Sequence, residues 1–229
     1  ILWQRTFFSW LDKWLKKYVI VSPIRRQHLY RYYFVKRLFD MTAVIVTAPI
    51  WLLIVGIIAL MIKLSDWNAP VLFRQKRLGL GGKPITIYKF RSMVPNAEEL
   101  KQKYAYLNEL EWPDFKITND PRVTKIGHVL RRTSLDELPQ LFNVIKNDIA
   151  LVGPRPTSIS VDKYELWQTY RLTVIPGVTG LWQILGRGKT NFEDKTRLDI
   201  FYIQHKCTRL DLEILFRSFY YQQKYQLFS

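Results

Sequence analysis

Hydrophobic positions along this chain are concentrated in one long run within its first third. Residues 41–62 include no Asp, Glu, Lys, Arg or His. A straight helix of this length would extend about 33 Å, and the hydrocarbon core of a membrane is about 30 Å thick. Pro49 lies in the first half of the run, where proline removes a backbone hydrogen bond and kinks a helix. The pattern therefore predicts a membrane segment over residues 36–64 that is broken at Pro49.

Basic residues flank this run on both sides, so the positive-inside rule gives no orientation. A spanning helix would place the two flanks on opposite sides of the membrane, whereas a re-entrant helix would return both flanks to the cytoplasm. The residues alone leave both topologies open. The flanking cations are Arg25, Arg26, Arg31, Lys36 and Arg37 before the run, and Lys63, Arg74, Lys76 and Arg77 after it.

Residues 1–35 form a basic and aromatic segment. Its aromatic side chains recur at helical spacing with cations between them, which is typical of an amphipathic helix in the headgroup region of a membrane. An aromatic face packed on protein would give the same pattern, and both alternatives stay open. The chain begins with Ile1 rather than Met, so we expect a further segment upstream. The aromatic positions are Trp3, Phe7, Trp10, Trp14 and Tyr18.

After the hydrophobic run the pattern changes to short strands and helices. Residues 71–75 and 85–90 are rich in β-formers and flank a glycine-rich turn, which predicts a hairpin. Asn96 and Glu99 have the spacing of a capping pair, which predicts a helix to about Leu107. The sequence therefore predicts one α/β domain over residues 65–229, with a membrane hairpin and interfacial helices at its front. Further helices are predicted near residues 138–145, 159–171, 192–205 and 212–225.

Composition narrows the choice of partners. Lys and Arg number 35 against 19 Asp and Glu, which gives a formal net charge of +16. A field of this sign attracts polyanions, among them nucleic acid, anionic lipid and phosphorylated substrates. Trp and Tyr beside Lys and Arg are typical of a membrane interface and favour the lipid. The single Cys207 excludes an internal disulfide and a multi-cysteine metal site.

Candidate chemistry is concentrated in residues 134–139 (SLDELP), where Asp136 and Glu137 lie next to each other. Ser134 and Glu137 have the spacing of a helix-capping box, which is a structural alternative to catalysis. A carboxylate can also attack phosphorus to form an acyl phosphate, and a neighbouring carboxylate can hold a divalent metal against a diphosphate. The spacing leaves both interpretations open.

Several basic residues could complete such a site. Arg131 lies just before the acidic pair, and Arg155 lies between two prolines that restrict the backbone on either side. Lys89 and Arg91 end the predicted hairpin, where they could also serve as charges on an edge strand. Arginine forks bind phosphate oxygens in bidentate fashion. These cations are therefore candidate phosphate ligands.

Seven sequence blocks in the same order resemble the monotopic phosphoglycosyl transferases, a family of bacterial sugar transferases. Each block alone would be weak, whereas seven in register over most of the chain are highly specific. The resemblance implies that the membrane segment is a re-entrant hairpin, which in the family is broken at a Ser-Pro pair. The one departure is Ala48-Pro49 at this place, so the helix break would depend on Pro49, with Thr47 standing in for the serine. The matching blocks are residues 36–40 (KRLFD), 88–93 (YKFRSM), 120–124 (DPRVT), 134–143 (SLDELPQLFN), 151–156 (LVGPRP), 176–183 (PGVTGLWQ) and 186–187 (GR).

The resemblance implies a catalytic domain that transfers a hexose-1-phosphate from a UDP-sugar to undecaprenyl (polyprenyl) phosphate and releases UMP. Asp136 would be the nucleophile, and Glu137 would bind Mg²⁺. The matching cations Arg131, Arg155 and Arg187, with Lys89 or Arg91, would bind the phosphates.

The resemblance also implies a place in the cell and a set of partners. The enzyme would lie in the bacterial inner membrane with its active site on the cytoplasmic face, and it would start exopolysaccharide or O-antigen assembly. Membrane lipid would be a partner, nucleic acid would not, and a homo-oligomer is left open. The rival from another class is a basic membrane-tethered module that binds anionic lipid or nucleic acid. Such a module would have no use for the acidic pair.

Overall fold

A computed structural model describes residues 26–109, 115, 117–185 and 191–226. The uncharged run of residues 41–62 lies in two helices, α1 (Arg26–Val46) and α2 (Ala48–Ser65), which are separated at Thr47. The break therefore precedes Pro49 by two residues, rather than lying at Pro49 as the sequence predicted. Pro49 lies in the first turn of α2. This position tolerates proline because the first backbone N–H groups of a helix have no partner within it.

Two side chains donate hydrogen bonds to carbonyls of α1 near the break between the two helices. The Thr47 hydroxyl donates a 2.6 Å hydrogen bond to the carbonyl of Ala43, and the Trp51 indole donates one of 2.9 Å to the carbonyl of Val44. The Ala43 carbonyl also accepts a 3.2 Å hydrogen bond from the backbone N–H of Thr47, so the side-chain bonds add to the backbone bonding at the end of α1. Thr47 therefore supplies a hydroxyl at the break, the role for which the sequence suggested it. The predicted interfacial segment over residues 1–35 lies outside the described residues as far as residue 25.

Helix α2 has one face on the protein and one face exposed. Trp51, Ile58 and Ile62 are buried at helical spacing, whereas Leu53 and Leu64 are about two-thirds exposed. Within the described residues, α2 is the one helix that is long and apolar enough to cross a membrane, with a mean hydropathy of 2.2 over 18 residues. Only 17% of that stretch is buried, far less than a core helix of a soluble protein would show.

The predicted hairpin is confirmed. Strands β1 (Leu72–Leu78) and β2 (Pro84–Phe90) pair antiparallel, and the register places Phe73 opposite Lys89. Gly81 and Gly82 take positive φ values of 64° and 74° in the connecting turn, a conformation that glycine adopts without steric cost. The hairpin follows α2 along the chain, and Lys89 lies near the end of β2.

The rest of the chain is mostly helical, which gives a mixed fold of helices and two small sheets. Helix α3 begins after Asn96 as predicted, but the Asn96 side chain makes no capping hydrogen bond, and the helix ends at Lys103. Residues 159–171, predicted as one helix, form short 3-10 turns instead. The remaining elements are α3 (Ala97–Lys103), α4 (Lys125–Thr133), α5 (Gln140–Ile145), β3 (Ala150–Val152), β4 (Gly177–Thr179), α6 (Leu181–Leu185), α7 (Phe192–His205) and α8 (Thr208–Gln226).

Three apolar clusters hold these elements together. One joins α1 and α2 to β2 and α5 through Val44, Trp51, Ile87, Val144 and Ile149. A second joins α2 to β2 and α4 through Ile58, Ile62, Phe90 and Leu130. The third lies between β3, α6, α7 and α8, with Val152, Leu181, Leu198, Tyr202 and Ile214 among its members. Helices α1 and α2 are therefore packed on the same domain that carries the hairpin.

Strands β3 and β4 pair in parallel and approach each other through glycine. A Cβ atom on Gly177 would lie 2.1 Å from the backbone nitrogen of Gly153, which is too close for any atom pair without a bond. Gly177→Ala should therefore lower the free energy of unfolding by about 3 kcal/mol or more. Chemical denaturation in detergent would measure the change.

Gly56→Ala is the matched control, because a Cβ atom at Gly56 meets nothing within 4 Å. It should leave stability unchanged or raise it slightly, since alanine favours the helix. Equal effects of the two substitutions would contradict the close approach of β3 and β4.

Candidate active site

The acidic pair lies on a tight turn between two helices. Helix α4 ends at Thr133. Ser134 follows with a φ of 56°, in the left-handed region, and a 3-10 turn over Leu135–Glu137 comes next. This conformation is uncommon for serine and is stabilised only where the surrounding structure requires it. The Ser134 side chain makes no capping hydrogen bond, so the alternative of a capping box for residues 134–137 is wrong.

Glu137 is held by two cations from distant parts of the chain. Lys89, near the end of β2, donates a 2.7 Å hydrogen bond to Oε1 of Glu137. Arg155, in the loop after β3, donates to both carboxylate oxygens, and its bond to Oε2 measures 3.1 Å. Burial alone would raise the pKa of Glu137, but Arg155 and Lys89 outweigh it and hold this pKa well below its usual range. Glu137 is therefore a carboxylate at neutral pH.

Asp136 is placed differently. Within residues 26–109, 115, 117–185 and 191–226 no group donates a hydrogen bond to its carboxylate, although the side chain is half-buried and lines the same cleft. Burial and the neighbouring negative charge of Glu137 raise the pKa of Asp136 above its usual value, and Lys89 and Arg131 offset part of this rise. The site thus has one fixed carboxylate and one free carboxylate.

The loop that carries Arg155 is braced by two further arginines. Arg171 donates a 2.9 Å hydrogen bond to the carbonyl of Arg155, and Arg77 donates one of 2.6 Å to the carbonyl of Pro156. Arg171 is itself fixed by a 2.6 Å ion pair with Asp199, which is fully buried. These contacts aim the Arg155 guanidinium at Glu137.

Arg77, Arg171 and Asp199 were missed as site residues by the sequence analysis. Arg77 was counted only as a cation flanking the membrane run, and the folded hairpin is what turns it towards the loop. Asp199 did leave a signal, because it occupies the apolar face of α7 together with Leu198 and Ile203. A carboxylate on a buried helix face requires a partner.

The acidic pair and its cations line one cleft of about 850 Å³. Lys89 and Arg155 contact Glu137, whereas Arg131 and Arg91 line the cleft with other partners. Arg131 donates a 2.9 Å hydrogen bond to the hydroxyl of Ser92, and Arg91 forms a 3.1 Å ion pair with Asp66 at the end of α2. Arg187, also predicted to bind phosphate, lies outside the described residues.

Cations outnumber carboxylates around this cleft. Burial and the nearby Arg155 lower the pKa of Arg77 to about 10, which leaves it charged at neutral pH. Burial also lowers the pKa of Lys89, although Glu137 opposes that shift. A polyanionic ligand would balance the excess positive charge. The lining cations are Arg77, Lys89, Arg91, Lys101, Arg122, Arg131, Arg155, Arg171 and Lys195.

Residues 31–224 match the family model described as bacterial sugar transferase. The chain belongs to the bacterial sugar transferase family. Its relatives place it among the sugar transferases of the phosphoglycosyl transferase type. The match begins within α1 and continues through α2, the hairpin and the acidic turn into α8, so it covers every part of the site described above.

Relatives of this sugar transferase include proteins named for related activities. It is 39% identical over 202 residues to the galactosyl transferase CpsE of Streptococcus agalactiae, covering 86% of this chain and 44% of that protein. It is 41% identical over 193 residues to the undecaprenyl-phosphate galactose phosphotransferase of Salmonella typhimurium, covering 81% and 40%. It is 36% identical over 194 residues to the exopolysaccharide production protein ExoY of Rhizobium meliloti, covering 80% and 83%. The chain thus spans less than half the length of the first two relatives.

Asp136 and Glu137 could hold a magnesium ion together with the phosphates of a substrate. Among the described residues, no group of three or more acidic, histidine or cysteine side chains could form a complete metal site. Magnesium often binds through one or two carboxylates together with substrate phosphates. Asp136 and Glu137 suit that arrangement, provided that Glu137 gives up part of its contact with Lys89 or Arg155.

Proposed function

We propose that this sugar transferase moves a hexose-1-phosphate from a UDP-sugar to polyprenyl phosphate through a covalent intermediate on Asp136. One observation carries the proposal: Asp136 accepts no described hydrogen bond, while the adjacent Glu137 is fixed by Lys89 and Arg155 in a cationic cleft. The relative from Salmonella typhimurium, an undecaprenyl-phosphate galactose phosphotransferase by name, supports the same reaction class.

The reaction has two balanced steps. An Asp136 oxygen attacks the phosphorus that bears the sugar, the bond from that phosphorus to the UMP oxygen breaks, and UMP leaves. An oxygen of the polyprenyl phosphate then attacks the same phosphorus, and the bond to Asp136 breaks. The products are UMP and a polyprenyl diphosphate sugar, and the free carboxylate is restored. Acyl phosphates of this kind are established intermediates of enzymes with a carboxylate nucleophile.

The two carboxylates are suited to different roles. Glu137 is a poor nucleophile because both of its oxygens accept hydrogen bonds from cations and its pKa is lowered. Asp136 is the better nucleophile, since its raised pKa indicates higher basicity and its oxygens are free to reach phosphorus. The contrast supports attack by Asp136 and electrostatic support from Glu137.

The cations would hold the diphosphate and offset its charge as UMP leaves. Arg155 and Lys89 are already aimed into the cleft by Glu137, and Arg131 is oriented by Ser92. Preorganised cations stabilise developing charge without reorganising during the reaction. A bound Mg²⁺, held by Glu137 and the diphosphate, would neutralise further charge on the phosphate oxygens.

We propose that α1 and α2 form a re-entrant hairpin at the cytoplasmic face of the bacterial inner membrane. Contacts at both ends of the pair support this topology. Asp40 of α1 accepts a hydrogen bond of 3.2 Å from the backbone of Leu151, and Asp66 after α2 pairs with Arg91 at 3.1 Å. A spanning helix would separate its flanks by about 30 Å of hydrocarbon, so they could not both contact one polar domain.

Topology can be tested with a thiol reagent that does not cross membranes. Arg31 and Arg74, exposed on opposite sides of the hydrophobic run, would be changed to Cys one at a time in a Cys207→Ser background, because Cys207 is itself exposed. Both cysteines should resist labelling in intact cells and react after lysis. Labelling of one position alone would show that the segment crosses the membrane.

Release of UMP tests the reaction itself. The protein in detergent should release UMP from at least one member of a panel of UDP-sugars when Mg²⁺ and polyprenyl phosphate are present. The relatives' names make UDP-galactose the first donor to test. The rival function, a basic module for anionic lipid or nucleic acid, would give binding to vesicles or oligonucleotides without any UMP.

A further inference from the structure

The acceptor of the proposed reaction is an amphiphile with two requirements. Its phosphate must reach Asp136, while its isoprenoid chain must stay in contact with lipid. Its site must therefore lie where the cleft meets the lipid-facing surface.

The junction lies where α2 passes into β1. Arg91 lines the cleft, and its ion pair with Asp66 places it at the end of the membrane helix. The exposed side chains Leu64 and Trp67 continue the apolar outer face of α2 at this point, with exposed fractions of about 70%. Lys63 stands over the Trp67 ring at 5.6 Å, a cation beside an aromatic ring as at a membrane interface.

An apolar wall leads from this junction to Lys89. Pro70, Leu72 and Phe73 line the cleft immediately after the junction. Phe73 is 47% exposed and pairs with Lys89 across the hairpin, and directly opposed residues of an antiparallel pair share one face. A half-exposed phenylalanine thus lies beside the lysine that binds Glu137.

Other aromatic residues that line the cleft have a different character. Their rings are covered by cations, with Lys195 over Trp182 at 5.2 Å and Arg171 over Phe192 at 5.7 Å. Such a surface suits an anionic or polar ligand better than a hydrocarbon chain. The apolar wall is therefore the better path for an isoprenoid.

We propose that Trp67, Pro70, Leu72 and Phe73 form the entry path for the polyprenyl phosphate, with Phe73 contacting the isoprene units nearest its phosphate. Arg91 and Lys89 would meet the phosphate as the chain enters. The assignment rests on the proposed function, and it adds to that function a location for the lipid substrate.

The test compares the two substrates of the same enzyme. Phe73→Ala and Trp67→Ala should each raise the KM for undecaprenyl phosphate about tenfold or more, as loss of a buried apolar contact predicts. The UDP-sugar concentration that half-saturates UMP release without acceptor should move far less. Phe73→Leu should retain the acceptor KM of the unchanged protein, because leucine keeps the apolar contact.

Tyr106→Ala is the matched control, since this aromatic side chain is 79% exposed and does not line the cleft. Tyr106→Ala should leave the KM for undecaprenyl phosphate and the half-saturating concentration of UDP-sugar unchanged. Phe73→Leu also distinguishes an isoprenoid from a nucleobase as the group that contacts Phe73. A nucleobase stacked on the phenyl ring would lose that ring in this variant.

A rise in the UDP-sugar constant with no rise in the acceptor KM would overturn the proposal and assign Phe73 to the nucleotide. Unchanged acceptor KM values, or equal losses for both substrates in both alanine variants, would overturn it as well. Absence of UMP release from the unchanged protein would instead reject the proposed function itself.

Discussion

Replacing Asp136 by Asn should lower UMP release with both substrates by at least about a thousandfold, as removal of an enzymatic nucleophile does elsewhere. The fold should survive, because no described group donates a hydrogen bond to this carboxylate and the new side chain has the same shape. Steady-state UMP assays and thermal unfolding in the same detergent would measure the two effects. Retention of more than a few per cent of the activity would contradict the assignment of the nucleophile.

Glu137→Gln gives a matched comparison at the adjacent position. It should also be nearly inactive, but it should unfold at a lower temperature than Asp136→Asn. The reason is that Lys89 and Arg155 both donate to Glu137 and would then lack a counter-charge in a partly buried site. Equal thermal stability of the two variants would show that the ion triad does not hold the site together.

Arg171→Ala should be among the most destabilising single substitutions in the described part of the chain. Arg171 and Asp199 are 5% and 1% exposed at their side chains, so removing the guanidinium leaves a buried carboxylate without its partner. Loss of one member of a buried pair typically costs about 3–5 kcal/mol. The same change frees the carbonyl of Arg155, so activity should fall with stability. Denaturant unfolding would give the loss directly.

Arg197→Ala is the control for this prediction. Arg197 pairs with Glu193 on the same helix at 3.5 Å, and both side chains are more than half exposed. An exposed pair of this kind contributes about 0–1 kcal/mol, so the variant should resemble the unchanged protein. Similar losses in the two arginine variants would mean that burial of the Arg171 pair is not what makes it important.

The Arg171–Asp199 pair also predicts how stability depends on pH. Burial raises the pKa of Asp199 to about 7, although Arg171 opposes the shift. Because this folded-state value exceeds the ordinary value of 3.8, the folded protein binds more protons than the unfolded chain between about pH 4 and pH 7. The contribution of Asp199 to stability therefore falls as pH rises through that window. Asp199→Asn should remove this component from a plot of melting temperature against pH, and an unaltered slope would contradict it.

Local signals in the sequence were sufficient for the hairpin, most helices and the acidic pair. Alternating β-formers around glycines identified β1 and β2, and the uncharged run identified an apolar helical segment. The helix break was misplaced, because proline disrupts hydrogen bonding in the turn before it and is tolerated in the first turn of the next helix. The break therefore lies at Thr47, ahead of Pro49.

The contacts that build the site could not be read from local signals. Ser134 and Glu137 have the spacing of a capping box, but Ser134 is left-handed and Glu137 is drawn to Lys89 and Arg155 instead. Arg155 is itself positioned by Arg171, which is sixteen positions further along the chain. Ion pairs between separate elements depend on tertiary packing, and spacing carries no information about them.

The covalent intermediate on Asp136 is the central claim, and one measurement tests it most directly. The enzyme would be mixed with UDP-sugar and Mg²⁺ in the absence of polyprenyl phosphate, and its mass would be followed at early times together with UMP. We predict a burst of no more than one UMP per active site. We also predict a mass increase of one hexose phosphate, located on the peptide that contains Asp136 and lost when polyprenyl phosphate is added. Neither a burst nor an adduct, in an enzyme that is active with both substrates, would mean that the sugar phosphate passes directly to the acceptor.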